Sequence, residues 1–173
     1  GHVDMQHRYV RTQRFLAERA ARRGLFGDYR NPFTDDPSVA GLQRTVSNTN
    51  VVPHAGHLLA MKEDGPPYAM DPHTLETRQL WDWNGHMKAT TFTAHPKIDP
   101  ATGELVGYAY AAKGEATKDI AFYSFDRQGR KTRELWFQGP HASMIHDCGV
   151  SENYIVLPMI PQLMDLERIR RGG

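Results

Sequence analysis

Thr93-Ala94-His95-Pro96-Lys97 starts a stretch that runs through an apolar, β-branched and aromatic segment at 105–112. It meets its own beginning again at Met144-Ile145-His146-Asp147, ahead of a second such segment at 154–158. The two histidines stand 51 residues apart, each leading a strand-like run. A repeat of this length with several strands per unit is the sequence signature of a β-propeller, and metal ligands at equivalent strand starts would converge on its central axis.

Outward from these motifs the repeat continues. Tyr68-Ala-Met-Asp71 matches Tyr123-Ser-Phe-Asp126, each followed within six residues by a threonine, Thr77 or Thr132, and then an arginine. Asn48-Thr49-Asn50, Ala94-His95-Pro96 and Ile145-His146-Asp147 would open successive units, and their steps of 46 and 51 residues suit four-stranded blades. Strands are expected at 49–52, 57–61, 68–70, 79–83, 91–94, 105–112, 120–125, 132–137, 144–146 and 154–158. Asp71-Pro72, Asp99-Pro-Ala-Thr-Gly103 and Asp126-Arg-Gln-Gly129 supply turns between them. The reading is all-β: a partial propeller over 44–173 with two to three blades, too few to close a ring.

Residues 1–43 differ in texture. Within 9–23, Phe15, Leu16 and Ala20 fall on one side with arginines and Glu18 elsewhere, and Gly24 is placed to end a short amphipathic helix. Such a helix lies on a sheet or, being rich in arginine, on a membrane surface; the first is the commoner use, so membrane contact is not expected. Residues 27–36 are turn-rich and read as a loop on the substrate side of the molecule.

At 173 residues with 39% hydrophobic content the chain can bury a core, which excludes a disordered polymer. Lys and Arg number 21 against 20 Asp and Glu, a balance that gives no footprint for nucleic acid. The lone Cys148 allows no internal disulfide, and with no leader-like or 18-residue apolar run the expected setting is cytoplasmic. Gly1-His2 and Arg170-Arg171-Gly172-Gly173 suggest a piece of something longer.

The residues at the unit openings are Thr49, His95 and His146. Two imidazoles from different blades suit Fe, Zn, Cu or Ni, and a metal-bound imidazole usually donates its other N–H to a carboxylate. Glu63, at the end of an apolar strand, is a candidate for that partner; Met61-Lys62-Glu63-Asp64-Gly65 also has the composition of an ordinary solvated turn.

Thr93-Ala-His-Pro-Lys-Ile-Asp-Pro100, Ser143-Met-Ile-His-Asp147 with Tyr154-Ile-Val-Leu-Pro158, and Lys62-Glu-Asp-Gly-Pro-Pro-Tyr68 together resemble the carotenoid cleavage oxygenases, most closely their stilbene-cleaving branch. The resemblance runs from about Tyr9 to Gly173 and stops roughly midway through such an enzyme. It implies a seven-bladed propeller with one Fe(II) per complete four-histidine site, of which His95 and His146 are the first two ligands and the others lie beyond Gly173. It also implies that Glu63 orients the His146 ring, that the Thr49 methyl crowds the open side of the iron, and that Tyr29 and Lys62 hold the 4-hydroxyl of the substrate. The implied reaction consumes O2 and splits the C=C bond of a small phenolic alkene into two aldehydes.

Three other readings compete. An apocarotenoid cleaver of the same family would have no need of a polar end-clamp. A non-catalytic propeller fragment would use its open sheet edges for association, with its own kind or with the remainder of the propeller. A calcium-dependent propeller lactonase would want axial carboxylates where this chain has His and Thr.

Overall fold

A computed structural model describes residues 1–172; Gly173, the last residue of the expected propeller segment, lies outside the described residues. Helix α1 (Gln13–Ala21) leads, after an extended arm, into two short 3-10 turns at Pro32–Thr34 and Pro37–Val39. Strands β1 (Asn50–His54), β2 (His57–Met61), β3 (Tyr68–Met70) and β4 (Thr77–Leu80) form one antiparallel sheet in chain order. Strands β5 (Lys97–Ile98), β6 (Leu105–Tyr110), β7 (Asp119–Phe125) and β8 (Lys131–Gln138) form a second of the same order. A hairpin of β9 (Gly149–Val150) and β10 (Ile155–Val156) starts a third unit, and α2 (Leu166–Arg170) follows it. Successive four-stranded meanders are propeller blades, and the matched Tyr68 and Tyr123 motifs fall in the third strand of each.

The turns form as their residues dictate. Asp71, Asp99 and Asp126 each accept hydrogen bonds from backbone N–H groups two to four residues on, the Asx arrangement that reverses a chain. Gly129, at φ 82°, completes the β7–β8 turn in a conformation other residues adopt only under strain. Gly107 serves differently: a Cβ there would lie 2.3 Å from the Phe92 ring, so its bareness lets that ring press on β6.

Between the two sheets lies an apolar core that includes Leu59, Met61, Trp83, Phe92, Leu105, Tyr123 and Phe125. Trp83, in the turn after β4, stacks on Phe125 with centroids 4.1 Å apart and tilts against Phe92 at 4.9 Å. It is the wedge that fixes one blade against the next.

Two expected strands are absent as ladder strands. Residues 91–94 run beside β6, but the pairing mixes backbone with side chain: Thr93 N–H donates to the Tyr108 carbonyl, while Thr91 Oγ1 donates to that of Tyr110. Residues 144–146 place their carbonyls on other partners, Met144 on the Ile160 N–H and Ile145 on the Tyr108 hydroxyl. Among the remaining strands, 57–61 and 68–70 agree at both ends; the 79–83 segment starts earlier and ends at Leu80, and the 105–112 segment ends at Tyr110.

The helix also departs from expectation. Thr12 caps its start by accepting from Phe15 N–H at 3.0 Å, but its end is a left-handed Arg22 rather than Gly24. Leu16 is 44% exposed and Ala20 lies outside as well, while Ala17 and Glu18 turn inward. The reason is Glu18, whose Oε1 accepts from Leu25 and Phe26 N–H and folds the chain back onto Ala17 in a small apolar cluster with Val39. Among the described residues no helix is long and apolar enough to cross a membrane.

Candidate functional site

The segments that carry His95 and His146 lead into β5 and β9, the opening strands of the second and third units. Their rings meet edge to face with centroids 4.7 Å apart. Asn50 at the start of β1 reaches the same end of the molecule, donating from Nδ2 to the carbonyl of Ala94, the residue before His95. His95 Nε2 is buried without a hydrogen-bond partner. The His146 side chain is 55% exposed, and its Nδ1 lies 3.6 Å from Glu63 Oε1, longer than a hydrogen bond but close enough to orient the ring. A carboxylate beside Nδ1 favours a proton there and leaves Nε2 with its lone pair free.

Strand β2 ends at Met61, and the next two side chains, Lys62 and Glu63, both reach Tyr29. Lys62 Nζ sits 4.4 Å above the centre of the Tyr29 ring, a cation–π contact, and 3.4 Å from Asp64 Oδ2. Glu63 is only 6% exposed, so the solvated-turn reading of this segment does not hold for it. Its Oε1 accepts from the Tyr29 hydroxyl at 3.4 Å and faces His146 with the same atom. One carboxylate oxygen therefore joins the tyrosine to the histidine pair. Tyr29 as a whole is 48% exposed, but its hydroxyl end is turned inward. Burial, and then the Glu63 charge, pushes that hydroxyl well above the ordinary tyrosine range, so it stays protonated and a donor.

The loop that carries Tyr29 is moored at several distant points. Arg44 pairs with Asp35 at 2.7 Å and donates to the Asp28 and Asn31 carbonyls. Asn31 donates to the Ile169 carbonyl at 2.8 Å, beside which the Arg170 guanidinium lies over the Phe33 ring. Arg30 is buried in a left-handed conformation, φ 56°, with Nε on Glu115 at 2.9 Å and its guanidinium over the Tyr110 ring at 4.7 Å. Both its Nη atoms and the Tyr110 hydroxyl are buried without partners. Burial pushes that hydroxyl up to about 12, against the pull of the Arg30 charge. Arg30, Tyr110 and Glu115 escaped the sequence reading because no spacing links them.

Thr49 stands one residue before β1, its N–H on the Met61 carbonyl at 2.9 Å and its side chain exposed. It shares the sheet end with Lys62 and Glu63 without joining their hydrogen bonds. Among the described residues no three His, Cys, Asp or Glu side chains are disposed to hold an ion by themselves. The pair nevertheless fits a first-row divalent metal as part of a larger set: two adjacent imidazoles, one buried ring nitrogen left without a protein partner, and a carboxylate backing the second ring.

Residues 1–173 match the family described as retinal pigment epithelial membrane protein. The chain is 55% identical over 176 residues to resveratrol cleavage oxygenase 1 of Chaetomium globosum, an alignment covering 100% of this chain and 30% of the relative. It is 51% identical over 170 residues to isoeugenol monooxygenase of Pseudomonas nitroreducens, covering 98% and 36%. The crystal structure of Pseudomonas brassicacearum lignostilbene dioxygenase superposes with a TM-score of 0.92 at 49% identity, over 96% of this chain and 34% of that one. The chain thus spans about a third of the length of the curated relatives it matches. With its blades, its paired histidines and this match along its whole length, the chain belongs to the retinal pigment epithelial membrane protein family, that of the carotenoid cleavage oxygenases its histidine motifs resemble.

Proposed function

We propose that this chain supplies two ligands of a four-histidine Fe(II) centre, His95 and His146, and the phenol clamp of an oxygenase acting on 4-hydroxystilbenes or related phenylpropenoids. The remaining ligands would come from blades outside this chain, whose two histidines alone would hold iron too weakly for activity. The observation that carries the reading is the meeting of two rings 51 residues apart in sequence, one with a buried nitrogen left free, beside a tyrosine and a lysine joined to them through Glu63. Relatives named for resveratrol, isoeugenol and lignostilbene support the substrate class.

When bound, Fe(II) supplies the activation of dioxygen. The residues of this chain prepare the alkene. Tyr29, held protonated, turns its hydroxyl from Glu63 to donate to the substrate's 4-hydroxyl oxygen, and the Lys62 ammonium stabilises that oxygen as a phenolate whose proton is lost to solvent. Electron density pushed from the phenolate through the ring makes the bridging double bond easier to oxidise, and scission at that bond gives two aldehydes. Glu63 orients the His146 ring, and Thr49, at the same sheet end, would restrict access to the bound metal. A polar clamp of this kind favours a phenol over a long polyene. Cys148, a buried free thiol, suits a cytoplasmic setting.

The test uses a full-length protein carrying this chain. Lys62→Ala or Tyr29→Phe should lower kcat/KM for 4-hydroxystilbenes by roughly 10²-fold, the scale of removing one charge-stabilising donor, with iron content unchanged. Loss of iron in either variant would remove the clamp assignment. His95→Ala should abolish iron binding, and retained stoichiometric iron would remove the ligand assignment.

A further inference from the structure

The two histidine segments do not pair with each other as strands, yet their rings meet, and one residue holds both backbones. Tyr108, mid-way along β6, is fully buried. Its carbonyl accepts from Thr93 N–H at 2.7 Å, and Thr93 Oγ1 in turn accepts from His95 N–H at 3.0 Å. Its hydroxyl donates at 2.8 Å to the carbonyl of Ile145, the residue before His146. Burial keeps this hydroxyl protonated, and therefore a donor.

We infer that Tyr108 is a positioning residue for the metal pair, its hydroxyl setting the approach of His146 while its carbonyl, through Thr93, sets that of His95. The inference rests on the reading of both histidines as ligands. A second link between the segments, Lys97 Nζ on Asp147 Oδ1 at 2.7 Å, lies in solvent and is correspondingly weak. The Tyr108 link is buried, where removing the donor leaves the Ile145 carbonyl without a partner. Metal sites tolerate little such displacement, because ligands must be held to within about half an ångström of productive geometry.

The neighbouring strand supplies a control. Tyr123 in β7 is equally buried, and its hydroxyl also serves backbone groups, accepting from Lys88 and Ala89 N–H at 3.1 Å, away from either histidine. In a full-length protein carrying this chain, Tyr108→Phe and Tyr123→Phe each delete one oxygen and should lower the melting temperature comparably. Fe(II) affinity, measured by chelator competition, should fall 10- to 100-fold in Tyr108→Phe, the usual effect of losing an outer-shell support, and stay unchanged in Tyr123→Phe. Unchanged affinity in Tyr108→Phe while His95→Ala loses iron would overturn the inference and leave the ligand reading standing. An equal fall in both tyrosine variants would also overturn it, as general loosening. Iron retained by His95→Ala would instead strike the ligand reading itself, and this inference with it.

Discussion

The wedge between the first two sheets and the polar cluster at their opening ends are held by different forces. Trp83, Phe92, Tyr123 and Phe125 are almost wholly buried and stabilise through apolar area, which needs no single exact contact. The cluster of His95, His146, Glu63, Tyr29 and Lys62 is half-exposed and depends on point contacts between residues far apart in the chain. Each region holds one buried nitrogen without a protein partner, His95 Nε2 in the cluster and Trp83 Nε1 in the wedge. Stability and function are thus placed in separate regions, and substitutions should separate them.

The largest effect belongs to the wedge. In a full-length protein carrying this chain, Trp83→Ala should destabilise the fold by about 3–5 kcal/mol, read as a shift in the denaturation midpoint, while the molecules that remain folded keep the iron that the proposed function assigns to the site. A folded variant without iron would show that wedge and cluster are one unit.

Glu63→Gln keeps the shape and removes the charge behind His146. In a full-length protein carrying this chain, and with His146 a ligand as proposed, iron affinity should fall 10- to 100-fold, with the melting point of the metal-free protein unchanged. A marked loss of stability there would place Glu63 among the structural residues.

Glu115→Gln leaves the buried Arg30 without its counter-charge. Because Glu115 is partly exposed, the loss should be about 1–2 kcal/mol, below that of a fully buried pair. It should appear as faster hydrogen exchange around Tyr29 and a higher KM for the phenolic substrate. Unaltered exchange in that loop would mean that Arg44 and Asn31 moor it without help.

The smallest effect is acidic. Burial raises the Asp35 carboxyl, but its hydrogen bonds from Arg44 and Gly27 N–H outweigh this and hold it below the usual carboxylate range. A carboxyl lowered on folding contributes stability above its unfolded pKa and loses it as pH falls through the folded value. The 27–35 loop should therefore stay closed at neutral pH and loosen only below about pH 4, as hydrogen exchange would record. Loosening nearer neutrality would implicate another group.

Legibility followed periodicity. The blades could be read because Tyr68 and Tyr123 recur at the same place in the third strand of each sheet, and Asp turns punctuate both. His95 and His146 stood out for the same reason. Segments 91–94 and 144–146 are strand-like in composition, yet the Thr91 hydroxyl, the Thr93 N–H and the Met144 and Ile145 carbonyls bond across to Tyr110, Tyr108 and Ile160 instead of forming a ladder. Lys62 and Tyr29 follow from the resemblance alone; the strand end itself marks Glu63 and leaves it open between a histidine partner and a solvated turn.

What the residues determined by themselves was the repeat: alternating apolar runs and turns fold locally, so their order survives in one dimension. The tertiary structure decided everything that needs two groups distant in the chain to find each other. Arg30 meets Glu115 across 85 positions, Tyr108 meets Ile145 across 37, and Tyr29 meets Glu63 across 34. Contacts of that kind leave no period in a sequence, because their geometry exists only once the sheets have packed.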